Sequence, residues 1–201
     1  MRFQENNMKR LFSFRKTQNL DTNELKRALY HADLKTIKEF VKNGLDVNQQ
    51  IESFDSDSIL IRAIPCSPEK RGSKQHLGVI DYLLSQGADI NQYNMDGYNS
   101  LHIALSHHDL SGVSLSLLEN GEANVNLADK PNGNTPLFIA IREYGLTWRE
   151  DQKEVNHLRY KIIEKLLNRG AQLDHPNIHG VTPRFWTERL NSDDPIHALL
   201  T

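Results

Sequence analysis

Asn94-Met95-Asp96-Gly97-Tyr98-Asn99-Ser100-Leu101-His102-Ile103-Ala104 opens the stretch that decides the fold, and Gly121-Glu122-Ala123-Asn124-Val125-Asn126 closes it. The opening phrase reads as a tight turn followed by a short helix, with Asp-Gly supplying the positive φ of a hairpin tip. It returns as Asn132-Gly133-Asn134-Thr135-Pro136-Leu137-Phe138-Ile139-Ala140, and last as His179-Gly180-Val181-Thr182-Pro183-Arg184-Phe185-Trp186. In these copies Thr caps a helix, and Pro at its first position gives up an N–H that needs no partner there.

The closing phrase recurs too, as Gly44-Leu45-Asp46-Val47-Asn48, Gly87-Ala88-Asp89-Ile90-Asn91 and Gly170-Ala171-Gln172-Leu173-Asp174. Each copy follows an amphipathic run: Ile37, Phe40 and Val41; Val79, Ile80, Leu83 and Leu84; Val113, Leu117 and Leu118; Ile162, Ile163, Leu166 and Leu167. Spacings of three, four and seven predict helices, each ended by a glycine placed for a left-handed C-cap. The glycines at 44, 87, 121 and 170 are 43, 34 and 49 residues apart, so the second and fourth units carry insertions.

The linked phrases resemble the ankyrin repeat, whose pattern is a glycine turn, Thr-Pro-Leu-His-x-Ala, a second helix and Gly-Ala-Asp-x-Asn, with a period of about 33 residues. The resemblance runs from about residue 23 to 190 and is best from Asn94 to Asn126. It implies an all-α solenoid of helix-turn-helix units joined by hairpin loops. About four repeats (23–48, 52–91, 92–126, 127–174) and a truncated C-terminal cap (175–201) make one domain, 23–201, behind a basic arm, 1–22. The first copy lacks the Thr-Pro phrase and starts with the polar Glu24 and Lys26, as an end repeat with one wet face should.

Both insertions fall between the two helices of their repeats and therefore share one edge. Residues 65–75 (Pro65-Cys66-Ser67-Pro68-Glu69-Lys70-Arg71-Gly72-Ser73-Lys74-Gln75) read as a basic irregular loop, either solvated or in contact with a partner. Residues 146–160 contain Thr147-Trp148-Arg149-Glu150, the form of a capping box, and Val155 and Leu158 continue the stripe of Ile162 and Leu166. A helix from about Trp148 to Asn168 would be roughly 30 Å long. It either packs on the first insertion or projects to meet a partner.

Composition excludes several classes of function. At 201 residues, 38% hydrophobic and 25% charged, the chain is expected to fold as a soluble domain. The net charge of −2 offers no global positive field for nucleic acid or an anionic membrane. Arg2, Lys9, Arg10, Arg15 and Lys16 surround Leu11-Phe12-Ser13-Phe14, a cluster too short for a secretory signal. The arm is either a leader that packs on the first helix or a tether. A cytoplasmic protein follows as the expectation, with neither nucleic acid nor membrane as a partner, monomeric when free. Its single cysteine, Cys66, fits a reducing compartment.

No H-E-x-x-H, nucleophile elbow, P-loop or paired-cysteine spacing occurs, so no cofactor, metal site or enzyme activity is expected. The enzymatic alternative would place chemistry on the inserted edge, using Cys66, His76 or the His107-His108 pair. Asp109 beside that pair adds a ligand-type residue, but adjacent residues in a turn rarely aim at one ion. At His102 the resemblance implies a structural imidazole that ties neighbouring turns together.

Protein binding through tips and first helices is what the resemblance implies for function. Its variable positions are Tyr30 and His31 in repeat one; Phe54, Asp55 and Asp57 in repeat two; Met95, Asp96, Tyr98, Ser106 and His107 in repeat three; and Asn132, Asn134, Arg142, Glu143 and Tyr144 in repeat four. The cap adds Ile178, His179, Val181 and Arg189, and the second insertion adds Trp148. Met95, Tyr98, Asp55 and Asp57 stand on predicted tips, where solvated turn and contact remain alternative readings. A small repeat protein of this kind resembles a bacterial immunity protein that caps a toxin. Acidic tips at Glu52, Asp55, Asp57 and Asp96 would suit a basic toxin domain. The alternative is a bacterial effector that binds a host protein.

Overall fold

Short polar side chains start the helices of this chain, as the phrases above require. The computed structural model describes residues 21–51, 55, 57–147 and 150–200. The expectations for residues 1–20, Glu52, Phe54 and Trp148 lie outside the described residues. Repeat one is α1 (Thr22–Tyr30) and α2 (Leu34–Lys42), capped by the carboxylates of Asp21 and Asp33. Repeat two is α3 (Ile59–Ala63) and α4 (Lys74–Ser85), capped by the hydroxyls of Ser58 and Ser73. Repeat three is α5 (Ser100–Leu105), capped by Asn99, and α6 (Ser111–Asn120). Repeat four is α7 (Pro136–Gly145), with Thr135 as its cap, and α8 (Lys153–Asn168). The last unit keeps α9 (Pro183–Thr187), capped by Thr182, and replaces a second helix with a 3-10 turn, Pro195–Leu199.

Two layers result. The second helices stack α2 on α4 on α6 on α8, while among the first helices α1 packs on α3, α5 on α7 and α7 on α9. One apolar cluster runs between the layers from Leu25 to Ile196, and each of the four repeats contributes a fully buried leucine or isoleucine to it, such as Ile37, Ile80, Leu101 and Leu137. No single helix pair could cover its own apolar face, so neighbours do it. The protein is thus an all-α ankyrin-type solenoid.

A side-chain ladder closes the repeats along the loops after the second helices. Asn48 Nδ2 donates to the Gly87 carbonyl (2.7 Å) and its Oδ1 accepts the Asp89 N–H (2.8 Å). Asn91 does the same to Glu122 and Asn124, at 3.0 and 2.8 Å. Asn126 does it to Gly170 and Gln172, at 2.9 and 2.8 Å. In the fourth copy the residue is Asp174, which turns to Arg184 (2.7 Å) within the cap. The ladder ends there because a carboxylate has no N–H to donate onward.

The structure corrects three local expectations. Gly44, Gly87 and Gly170 take φ of 101°, 82° and 81°, but Gly121 sits at φ −128°. Glycine is needed at 121 for a different reason: a Cβ there would run into Ile90 Cδ1. The second-insertion helix starts at Lys153 after a 3-10 turn, Glu150–Gln152, and its 16 residues make it about 24 Å long. Thr147 does not cap it, because its hydroxyl donates back to the Tyr144 carbonyl (2.7 Å). The first insertion remains largely exposed but is bonded to the repeats on either side. Ser67 N–H donates to the Tyr30 carbonyl of repeat one (2.7 Å), and Arg71 meets Asp109 of repeat three (3.3 Å). The insertion therefore packs along the edge of three successive repeats.

Candidate functional site

The hairpin tips are built by the turn chemistry that the sequence specifies. In repeat three Asn94 N–H donates to the Tyr98 carbonyl and Asn94 Oδ1 accepts the Tyr98 N–H, both at 2.8 Å. Gly97 closes the turn at φ +83°, which a side chain would strain. Adjacent tips are stitched by the backbone: Lys130 N–H donates to the Gly97 carbonyl (3.0 Å) and Ile178 N–H to the Asn132 carbonyl (2.9 Å). Rigid spacing of the tips follows, so that residues far apart in sequence present one surface.

Two buried histidines share the same wiring, His102 beneath the tip of repeat three and His76 on the inserted edge of repeat two. His102 Nδ1 accepts the Asn99 N–H (3.2 Å), which leaves the proton on Nε2, and Nε2 donates to the Leu127 carbonyl of the next repeat (2.8 Å). His76 likewise accepts from Gly72 N–H (3.2 Å) and donates to the Ala63 carbonyl (3.0 Å). Both rings are fully buried, and desolvation lowers both pKa values below the ordinary imidazole value. Tyr93, which the sequence reading passed over, stacks near His102, donates its hydroxyl to the Ala128 carbonyl (2.7 Å) and carries Lys130 Nζ over its ring at 4.5 Å. A bulky aromatic one residue before the tip turn was the available signal.

Among the expected contact residues, Tyr30, His31, Asp55, Met95, Asp96 and His107 are exposed. Tyr98, Asn132 and Arg142 are half-buried. Met95, at 76% exposure, is the most prominent apolar group on the tips. Four expectations of an exposed contact residue are corrected. Asp57 is only 9% exposed and pairs with Arg62 at 3.6 Å. Burial raises its pKa above the ordinary carboxylate value, Arg62 pulls it back, and the neighbouring charges of Asp55 and Asp96 push it up. Asn134 is buried and accepts from Asn177 Nδ2 (2.9 Å), tying repeat four to the cap. Tyr144 is buried and donates its hydroxyl to Asp194 (3.0 Å); burial, followed by that carboxylate, raises the phenol pKa. Glu143 holds Arg142 at 2.9 Å and the buried Arg159 of α8 at 3.6 Å. The cap supplies the partners that draw Asn134 and Tyr144 inward, whereas Asp57 and Glu143 are held by arginines of their own repeats.

Two of the groups on which catalysis could draw, Cys66 and His76, are otherwise committed. Cys66 is 1% exposed, and burial pushes its thiol pKa up to about 11, away from a reactive thiolate. Both nitrogens of His76 are hydrogen-bonded as above. Among the described residues no three His, Cys, Asp or Glu converge as a metal site, and no helix is long and apolar enough to cross a membrane.

On the first-helix side, a cavity of about 350 Å³ opens between repeats one and two, lined by Lys26, Arg27, Leu29, Tyr30, Arg62 and Pro65. Apart from Tyr30, the sequence reading missed these as site residues. Lys26 and Tyr30 stand four residues apart on α1 and so share a face, which was a legible signal. The approach of Arg62 was not.

Comparison with known proteins agrees with this architecture. The family model described as ankyrin repeats, in three copies, matches residues 70–177, more than half of the chain. An ankyrin repeat protein of Variola virus is 27% identical over 118 residues, 58% of this chain and 18% of that protein. A Fowlpox virus protein named for its ankyrin repeats is 35% identical over 65 residues, 32% of this chain and 11% of that protein. The matched stretch thus spans less than a fifth of the length of either relative.

Proposed function

The chain belongs to the ankyrin repeat family, and on that premise we propose that it is a protein-binding module, without catalysis of its own, that engages a partner protein through its hairpin tips and first helices. The observation that carries this reading is where large apolar side chains meet solvent. Among the described residues, Tyr30, Met95, Leu146 and Ile178 are 50%, 76%, 61% and 65% exposed. Met95 and Ile178 stand on tips, Tyr30 ends α1 and Leu146 follows α7. None is on a second helix. Exposed aromatic and Met groups beside charges are usual anchors of recognition surfaces.

The proposal takes the free protein to be a monomer acting in the cytoplasm. Of its finer versions, neutralisation of a basic toxin draws on the exposed carboxylates of Asp55 and Asp96, a smaller acidic patch now that Asp57 is buried. Binding of a host protein by an effector draws on the same face. The similarity to poxviral proteins lends no support to a bacterial toxin–immunity pair.

Capture of partners from the native host with wild type, Met95→Ala and Tyr98→Ala chains tests the proposal. The expected result is a partner held by wild type and lost or weakened about fivefold or more by the tip variants, mainly through faster dissociation, at unchanged melting temperature. A partner bound equally by all three would remove the tips from the interface.

A further inference from the structure

Asn-Gly occurs three times in the chain, at Asn43-Gly44, Asn120-Gly121 and Asn132-Gly133. With no Cβ on the glycine, its backbone nitrogen can reach the side-chain amide carbon of the asparagine before it. The fold closes that route at two of the pairs. Gly44 N–H donates to the Val41 carbonyl (3.0 Å) and Asn43 N–H to the Glu39 carbonyl (2.9 Å). Gly133 N–H donates to the Asp129 carbonyl (3.0 Å), Asn132 N–H to the Asp129 carboxylate (2.7 Å), and the Asn132 carbonyl accepts from Ile178 N–H (2.9 Å). At the third pair the helix ends differently. Asn120 is the exposed last residue of α6, Gly121 is extended (φ −128°, ψ 163°), and the Gly121 N–H meets no acceptor among the described residues. Arg169 holds both flanks, donating to the Leu118 and Ala123 carbonyls at 2.8 Å, and leaves that N–H between them unbonded.

We propose that Asn120-Gly121 is a self-modification site, at which the folded chain converts its own amide to a carboxylate with water as the only co-reactant. The Gly121 nitrogen attacks Asn120 Cγ; the N–Cγ bond forms, the Cγ–Nδ2 bond breaks, and ammonia leaves with the proton that the Gly121 N–H gives up. Water then opens the succinimide ring, its hydroxyl going to one of the two ring carbonyl carbons and its proton to the ring nitrogen. Aspartate or isoaspartate results at position 120. The product alters a contact between repeats, because Asn120 Nδ2 donates to Asp81 Oδ1 of α4 (3.2 Å) and the same oxygen accepts the Ser116 hydroxyl. A carboxylate at position 120 replaces that donor with a like charge, which unties α6 from α4 at this point. Isoaspartate also lengthens the backbone beside Gly121, where Ile90 already fills the space. The pair is thus a timer on the contact between repeats two and three.

The test is incubation of the full chain at mildly alkaline pH, native and in urea, followed by digestion and peptide mass spectrometry that reads amide-to-acid conversion at each Asn-Gly pair. In the native chain Asn120 should convert about fivefold or more faster than Asn43 and Asn132, whose glycine N–H must first lose a backbone hydrogen bond. In urea the three rates should draw together, because the difference lies in the fold. Equal native rates, a faster Asn43 or Asn132, or a lead of Asn120 that persists undiminished in urea would overturn the proposal. Asn120→Gln, whose longer side chain closes a ring slowly, should stay a single species on anion exchange while wild type accumulates a more acidic one. An Asn120→Gln chain that turns acidic as fast as wild type would place the modification elsewhere. Asn120→Asp, which carries the product charge, should melt below wild type, and adding Asp81→Asn should restore the melting temperature by returning an amide donor to the pair. Asn120→Asp melting with wild type would overturn the timer.

Discussion

Asn91 grips the loop of Asn124 with both ends of its amide: Oδ1 accepts the Asn124 N–H at 2.8 Å, and Nδ2 donates to the Glu122 carbonyl two residues earlier in the same loop, at 3.0 Å. One side chain thus satisfies a donor and an acceptor of the next repeat, which no aliphatic or carboxylate side chain can do.

Asn91→Leu should therefore destabilise the fold by about 1–2 kcal/mol, the net worth of two partly solvated hydrogen bonds. Asn91→Asp, which keeps only the acceptor, should cost less. Urea unfolding measures both, and the Asn124 amide should exchange its hydrogen faster in the leucine variant. Equal stability of wild type and Asn91→Leu would show that the ladder is incidental to repeat stacking.

Gly121→Ala should destabilise by about 1–3 kcal/mol through overpacking, since the added methyl runs into Ile90 Cδ1. Ile90→Val removes that atom. The double variant should be more stable than the sum of the two single losses predicts, and a double-mutant cycle with strict additivity would place the strain elsewhere.

His76 and His102 give the fold a pH dependence of known sign. Their folded pKa values lie below the ordinary value of about 6.5, so below that pH the unfolded chain binds protons that the folded chain refuses. Their contribution is complete above pH 6.5 and is lost progressively as the pH falls toward the depressed folded values. The unfolding free energy from urea titrations should drop between pH 7.5 and 5.5 by at most about 1.4 kcal/mol per pH unit and histidine. His102→Gln, whatever its stability at pH 7.5, should show a shallower slope over that interval. An unchanged slope would mean that His102 is not held neutral.

Cys66 should resist alkylation in the native state. With its thiol near pKa 11, about one molecule in a thousand carries the thiolate at pH 8, and 1% exposure hinders attack further. Iodoacetamide labelling at pH 8, followed by mass spectrometry, should be slow until urea unfolds the chain. Rapid native labelling would reopen the case for chemistry on the inserted edge.

Much of the fold was legible because its signals are local. Thr135-Pro136 and Thr182-Pro183 start helices in the structure as their capping chemistry requires, and Asn94 and Gly97 make the tip that their φ preferences specify. The signal failed where one residue type had two uses. Gly121 reads as a left-handed cap but serves close packing, and Thr147 reads as a helix start but bonds backward to Tyr144. Each alternative depends on an atom supplied from outside the phrase, so the phrase could not choose between them.

Sequence alone determined the order of the repeat phrases, the tips at Gly97, Gly133 and Gly180 and the helix caps at Thr135 and Thr182, since periodicity, capping and turn preference act within a few residues of chain. Tertiary structure decided which side chains face water. Asp55 and Asp57 are two residues apart on one predicted tip, yet Asp57 is drawn inward to Arg62 while Asp55 stays exposed. Tyr144 and Asn134 are claimed by Asp194 and Asn177 of the cap, and Lys26, Arg27 and Arg62 converge only because α1 stacks on α3. Exposure and charge balance are set by desolvation and by partners that folding brings within reach, distances that the order of residues along the chain does not contain.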